Sequence, residues 1–144
     1  MIIGVGTDLC DVDRIAGALE RQGDRFRRRI CSDREQRLAA GRLEEALFYA
    51  GRFAAKEACA KALGTGITER LRWTHIEVLA EAKGRPVIYL SGGALRRARR
   101  LAPGGAFRAH VSITHDGFFA LAFVVLEAGR NYEHEGESAH VVLE

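Results

Sequence analysis

Asp8 and Glu57 are the two acidic residues of this chain whose settings point to chemistry. Asp8 follows the apolar run Ile2 to Val5 and Gly6-Thr7, and helical spacing starts at Asp11 through Val12, Ile15 and Leu19, so Asp8 is expected at a strand-to-helix turn. Taken alone, an Asp there is ordinarily a cap or turn residue. Glu57 has Lys61 one helical turn later, and such a pair on a wet surface is ordinarily a simple ion pair. The combination carries more than either part. A carboxylate at a strand end, a second on a helix of buried type and cations beside them make a site for Mg²⁺ on a pyrophosphate. That ion prefers hard oxygen donors, takes one or two carboxylates and leaves its other positions to phosphate and water.

The helix that carries Glu57 is expected from Glu44 to Leu63. It is rich in Ala and Leu, and it stops at Gly64-Thr65-Gly66, where glycine can take left-handed geometry. Its charges fall in two stripes on different sides, Arg52 with Lys56 and Glu57 with Lys61, the members of each pair about 40° apart. Between the stripes lie Leu47, Ala54, Ala55, Ala58, Cys59 and Ala62, a small-residue face that another backbone can approach closely. This helix is therefore expected to be central.

The remaining elements must hold these groups. A helix is expected over 11–20, and Ser32-Asp33-Arg34-Glu35 has the form of a capping box that starts another. Trp73 to Leu79 and Pro86 to Leu90 are strand-like around Lys83-Gly84-Arg85, and Gly92 to Leu101 is a short basic helix ended by Pro103-Gly104-Gly105. Phe107 to Thr114 and Phe118 to Leu126 form a hairpin about an Asp116-Gly117 turn. The near-continuous apolar content of its second strand implies cover on both faces, by packing or by a neighbouring subunit. The chain reads as one domain over 1–128 and a polar tail over 129–144, whose closing Val141-Val142-Leu143 is expected to dock on a sheet edge or a neighbour.

The formal charge of +3 is modest, but arginines crowd between Arg21 and Arg42, which suits an acidic protein, a phosphate-rich ligand or nucleic acid. Cys10, Cys31 and Cys59 are odd in number and contain no CxxC pair, against both a disulfide framework and a thiolate zinc site; they are expected reduced and packed. The opening residues lack a basic leader, and no run of about 18 apolar residues occurs, so a cytoplasmic protein that does not enter the membrane is expected.

Gly4-Val5-Gly6-Thr7-Asp8, Arg14-Ile15, Arg52-Phe53-Ala54-Ala55-Lys56-Glu57-Ala58 and Lys61-Ala62-Leu63-Gly64-Thr65-Gly66-Ile67 together resemble the holo-(acyl-carrier-protein) synthase family of phosphopantetheinyl transferases. Glu77-Val78, Gly84-Arg85-Pro86, Leu90-Ser91-Gly92 and His110-Val111-Ser112-Ile113-Thr114-His115 follow in the same order, so the likeness covers nearly the whole chain. The resemblance implies an α+β fold, an antiparallel sheet wrapped around a long central helix, assembled as a homotrimer with active sites between subunits. It implies transfer of 4′-phosphopantetheine from coenzyme A to a serine of apo acyl carrier protein, releasing adenosine 3′,5′-bisphosphate, in support of fatty acid biosynthesis. Asp8 and Glu57 would hold Mg²⁺ and, with Lys61, form the catalytic group. Arg52, Lys61, Gly64, Thr65, Gly66, Ser112 and His115 would bind coenzyme A, and the serine's proton would pass to Glu57 or to a water.

Arg14, Arg21, Arg25 and Arg28 lie on or after the first helix, close to Asp8 in the chain, where they could dock an acidic carrier in a salt-dependent way. Two other readings compete. A metal-dependent phosphoesterase or nuclease would use Asp8 and Glu57 without a carrier, but the chain shows no further acidic cluster for a second metal. A non-catalytic RNA- or acidic-protein-binding module would use the arginines and leave the carboxylates unexplained; no nucleic-acid partner is expected.

Overall fold

The computed structural model describes residues 1–129, in the order β1 (Ile2–Asp11), α1 (Val12–Gln22), α2 (Asp24–Ile30), α3 (Asp33–Ala39), α4 (Glu45–Ala62), a 3-10 turn (Trp73–His75), β2 (Ile76–Ala80), β3 (Pro86–Leu90), α5 (Gly92–Leu101), β4 (Phe107–Asp116) and β5 (Phe119–Ala128). The class is α+β. Strand β5 is central and antiparallel to β1 on one side and β4 on the other, while β2 and β3 form a separate antiparallel pair. Among the described residues no helix is long and apolar enough to cross a membrane.

Helix α4 lies on the inner face of the three-stranded sheet, and its alanines explain how. Ala50, Ala54, Ala55, Ala58, Cys59 and Ala62 are buried, so no long side chain holds the sheet away. The strand meets them with its own small residues. A Cβ on Gly6 would overlap the carbonyl oxygen of Ala58, and one on Gly4 that of Ala62, so β1 lies backbone to backbone on the last turns of α4. At the other end of the helix, a Cβ on Gly51 would stand 3.1 Å from Nε2 of His115 on β4. Ala120, Ala122, Val124 and Leu126 of β5 complete the inner layer.

A second tie runs through charge. Lys56 and Glu35 are both 0% exposed, with Nζ donating to Oε1 at 2.7 Å and to the Trp73 carbonyl at 3.1 Å. Glu35 also accepts from the amides of Ser32 at 3.0 Å and Val78 at 3.1 Å, joining α3, α4 and β2. The capping box expected at Ser32 is present, and its acidic member serves this buried network as well. Lys56 therefore belongs to the interior, not to a charged stripe beside Arg52.

Other elements also depart from expectation. Strand β1 continues past Asp8 to Asp11, because its amides and carbonyls pair with β5 in register as far as Asp11 opposite Phe119; Asp8 stands within the strand, and Asp11 is the residue that caps α1. Helix α2, unforeseen, is held by Arg27, which pairs with both Asp24 and Glu45. Trp73 to His75 forms a 3-10 turn, and the strand begins only at Ile76. The hairpin turn falls on Gly117-Phe118, since Asp116 still pairs with Phe119. Strand β5 alternates: its inner residues are buried, whereas Phe119, Leu121 and Phe123 are exposed on the outer face, so among the described residues it is covered on one side. The expected tail lies outside the described residues apart from Gly129. The three cysteines are free and buried, as expected.

Gly6→Ala tests the contact between β1 and α4. Overpacking against fixed backbone costs on the order of 3 kcal/mol, so the thermal midpoint followed by circular dichroism should fall by about 10 °C. An unchanged midpoint would show that the two backbones are not in contact.

Candidate active site

The close seat of β1 on α4 decides where Asp8 falls. Inner-face residues of a strand alternate, so Gly4, Gly6 and Asp8 share one side, and Asp8 arrives beside the last turns of the helix. There Lys61 donates to Oδ1 of Asp8 at 3.1 Å and to the Thr7 carbonyl at 2.9 Å. Lys61 thus pairs with Asp8 and not with Glu57 one turn before it. The Asp8 side chain is only 16% exposed, against 52% for Lys61, so the ammonium forms the solvent side of the pair.

Glu57 faces the same group. Its carboxyl is raised by burial first and then by the negative charge of Asp8, with Lys61 and Arg14 acting in the opposite sense. The neighbouring Cys10 thiol is pushed up to about 11, by burial and then by Asp8, which leaves it protonated and inert at neutral pH. With its charge disfavoured by burial and by Asp8, the Glu57 carboxyl forms with Asp8 a donor set whose repulsion a divalent cation would relieve. Among the described residues no group of three or more His, Cys, Asp or Glu side chains could hold a metal. A two-carboxylate site fits Mg²⁺, which needs few protein ligands, and does not fit zinc.

Glu57 also ends a cleft. Arg14, Arg21, Phe26, Phe53 and Trp73 line it with Ile15 and Ile30 between them. Phe53 and Trp73 stack with ring centroids 4.7 Å apart, and the Arg14 guanidinium lies over Phe53 at 5.6 Å. The Trp73 carbonyl is the one bound by Lys56, so the buried pair holds the wall of this cleft.

A separate cleft opens near the start of α4, lined by Arg42, Leu47, Phe48, Arg52 and His115. The Arg52 guanidinium lies 4.2 Å from the Phe48 ring centre and donates to the Val78 carbonyl at 3.2 Å; burial lowers its pKa from the usual arginine value. Arg42 covers the same ring at 4.7 Å. Five residues separate Arg52 from Glu57, about 7.5 Å along the axis and about 140° around it, so this cleft and the Asp8 group face different sides of α4.

Each expected site residue can now be placed. Asp8, Glu57 and Lys61 come together. Gly64, Thr65 and Gly66 follow α4 directly, with Gly64 at φ 78 and Gly66 at φ 69, and the amides of Thr65 and Gly66 turn back to the Ala60 carbonyl, a helix end that adjoins Lys61. Arg52 joins His115 in the other cleft. Ser112 and His115 are an odd number of positions apart on β4, so they face opposite sides of the sheet: His115 meets Gly51 of α4 and Ser112 is exposed opposite Phe123. Arg14 and Arg21 line the cleft of Glu57, Arg28 lines a neighbouring one, and Arg25 is exposed in neither. Sequence reasoning missed Glu35, Lys56 and Trp73 as supports and Arg29 and Arg42 as cleft residues. The signal for Lys56 was its place between Ala55 and Ala60 on the small-residue side of the helix.

The family model described as the 4′-phosphopantetheinyl transferase superfamily matches residues 4–114. A holo-[acyl-carrier-protein] synthase of Brucella ovis is 49% identical over 129 residues, covering 89% of this chain and 96% of the relative. Among solved structures, the holo-(acyl-carrier-protein) synthase of Bacillus anthracis in complex with coenzyme A (3′,5′-ADP) is 36% identical with a TM-score of 0.74, covering 90% of this chain and 99% of that one. The Neisseria meningitidis synthase is similar at 32% identity and a TM-score of 0.79 over 88% of this chain and 99% of its own. The Helicobacter pylori synthase in complex with coenzyme A is 31% identical with a TM-score of 0.73, over 85% of this chain and 99% of its own.

The raised carboxyl of Glu57 has a measurable consequence. A folded-state value above the unfolded one means that the native state holds the proton more tightly, so stability is lost as pH rises through that window and the loss is complete above it. Without divalent ions, Glu57→Gln should raise the thermal midpoint at pH 7 by about 1–3 °C, a difference that disappears below about pH 4. Thermal melts across this range check it; a lower midpoint at pH 7 would show that the charged carboxylate is stabilised in the fold.

Proposed function

The chain belongs to the 4′-phosphopantetheinyl transferase superfamily, and on that premise we propose which of its residues carry the reaction. It transfers 4′-phosphopantetheine from coenzyme A to a serine of apo acyl carrier protein, giving holo carrier protein and adenosine 3′,5′-bisphosphate and so supplying fatty acid biosynthesis. The observation that carries the assignment of the centre is the meeting of Asp8, Glu57 and Lys61 where β1 lies on α4. We take residues 1–128 as the single domain that performs this transfer.

Asp8 and Glu57 hold Mg²⁺ in this reading. Bound there, the ion would offset the negative charge of the pyrophosphate and leave most of its coordination to phosphate and water. Lys61 supplies fixed positive charge of its own. Its ammonium has three N–H donors, of which Asp8 and Thr7 take two, leaving the third for a phosphoryl oxygen on the solvent side. The serine oxygen passes its proton to a water or to Glu57 and attacks the β-phosphorus as the bond to the bridging oxygen breaks, and the departing bisphosphate takes the electron pair. Charge of this kind is best stabilised by groups already in place, and here Lys61 is oriented by two hydrogen bonds before substrate arrives. The Phe53–Trp73 wall and Arg14 position the carrier serine over Glu57, which lowers the cost of bringing the two reactants together.

Coenzyme A spans two clefts in this proposal. Its pyrophosphate lies at Asp8 and Lys61 beside Gly64-Thr65-Gly66, and a further phosphate suits the cationic cleft of Arg52 and His115. One chain turns these features to different sides of α4, which favours the homotrimer with active sites between subunits. The outer sheet face supports that assembly: Leu9, 61% exposed, stands opposite Leu121, and Phe123 and Val5 continue the same apolar surface. Ser112 belongs to that face and would meet substrate from a neighbouring subunit. Arg14 and Arg21 dock the acidic carrier at the mouth of the cleft. The proposed setting is the cytoplasm, and three unpaired buried cysteines fit a reducing compartment.

The test is the intact mass of purified apo acyl carrier protein after incubation with this protein, coenzyme A and Mg²⁺. A gain of one phosphopantetheine is expected, lost when the metal is chelated and slowed on the order of 100-fold or more by Asp8→Ala or Glu57→Ala. No gain with several apo carriers would overturn the transfer, and full activity in both variants would overturn the centre.

A further inference from the structure

The charge of helix α5 has no use in the sites described above. Arg96, Arg99 and Arg100 are exposed and stand three and four residues apart, so they share one face of a helix that contains no acidic residue. None of the three pairs with a carboxylate among the described residues, and none lines the clefts of Glu57, Arg52 or Arg28. Arg97 beside them is occupied, donating to the Leu63 carbonyl at 2.9 Å. Like charges at this spacing disfavour a helix. The negative end of the helix dipole offsets Arg99 and Arg100 in the last turn, but not Arg96 before it.

The chain carries an acidic segment of its own. Residues 130–144 hold four glutamates and one arginine, a charge of −3, whereas residues 1–129 hold 21 basic and 15 acidic ones, a charge of +6. Three of the four, Glu133, Glu135 and Glu137, fall within five residues. Strand β5 delivers this segment beside α5. The Gly129 amide donates to the Ala106 carbonyl at 3.3 Å, and Ala106 directly follows the 102–105 turn that ends the helix. A chain advances at most about 3.6 Å per residue, so Glu133 lies within about 14 Å of Gly129 and Glu137 within about 29 Å, while α5 is about 15 Å long. The acidic run can therefore lie along the whole arginine face.

We infer that the face of Arg96, Arg99 and Arg100 is the docking surface for residues 133–137 of the same chain, whose glutamates neutralise α5. Tethering favours this occupant over any free one. A short link holds the segment at an effective concentration on the order of millimolar, so individually weak ion pairs suffice, and an acidic macromolecule would have to displace it. With α5 neutralised, the cationic surface left open is the one beside Glu57. The inference goes beyond the transfer proposed above and needs no substrate.

The experiment places a nitroxide spin label on Ser138→Cys in the full chain and reads the backbone amide NMR signals. The label goes to the new thiol, because Cys10, Cys31 and Cys59 are buried, with the first pushed up to about 11 and the others to about 12. Relative to the reduced label, the signals of residues 95–101 should fall at least about twofold at about 0.01 M ionic strength and recover at about 1 M, where the screening length drops from about 30 Å to about 3 Å. Arg96→Gln/Arg99→Gln/Arg100→Gln should abolish the loss, as should Glu133→Gln/Glu135→Gln/Glu137→Gln, each with the rest of the spectrum native. A loss centred on Arg14, Arg21 and Arg28 instead would put the tail on the surface beside the active site and overturn the inference. A loss at α5 that survives high salt would make the contact apolar, through Val141-Val142-Leu143, and overturn it too. No loss at low salt would leave α5 a solvated face. Isotope-labelled chains without the nitroxide, refolded together with spin-labelled chains of natural isotope, should show no loss; a loss there would assign the face to a neighbouring molecule's tail and overturn the docking within one chain.

Discussion

The contact of β1 with α4, backbone against backbone at Gly4 and Gly6, is the constraint from which the rest of this molecule follows. It brings a strand within reach of a helix with no side chain between them, which only glycine facing an alanine-rich helix allows. Two residues further along the same face, Asp8 therefore meets Lys61 directly, and Glu57 lies one turn back. The same approach leaves Asp8 poorly hydrated, so its charge is felt by Glu57 and Cys10. The site is a product of packing: moving β1 outward by the thickness of one methyl group would separate the Asp8 carboxylate from the Lys61 ammonium and from Glu57.

The buried Lys56–Glu35 pair performs a different task. Charges taken out of water lose much hydration, and a buried pair is seldom a source of net stability unless its remaining hydrogen bonds are made. Here they are made, by the Trp73 carbonyl and by the amides of Ser32 and Val78. The network joins the helix that carries Glu57 to the segment that carries Trp73, and so fixes the wall of the cleft relative to its catalytic end. Ser32 extends it to Glu77, which is itself held by Arg34 and lowered by those hydrogen bonds in spite of its burial.

Much of this was legible where signals are local. The long helix, the capping box at Ser32, strand Pro86–Leu90 and helix Gly92–Leu101 follow from spacing, caps and turn residues close in the chain. The length of β1 was not legible, because Asp8 and Asp11 are poor strand formers and only pairing with β5, more than a hundred residues away, keeps them extended. Helix α2 offers just Phe26 and Ile30 as apolar positions and depends on Arg27 reaching Glu45, again a tertiary fact. For the site, the carboxylates and Lys61 were visible as types in sequence, but the partner of Lys61 was not: one-dimensional spacing favoured Glu57, and folding supplied Asp8. The opposite orientations of Ser112 and His115 follow from strand parity alone. Their common role needs surfaces that a single chain turns apart.

The central claim is that Asp8 and Glu57 together hold the divalent ion against the pyrophosphate of coenzyme A. Anomalous scattering from crystals grown with coenzyme A and Mn²⁺ in place of Mg²⁺ tests it most directly. The account predicts a peak between the two carboxylates, beside the pyrophosphate and within reach of Lys61. A peak away from this pair, with Lys61 still bound to Asp8, would contradict it.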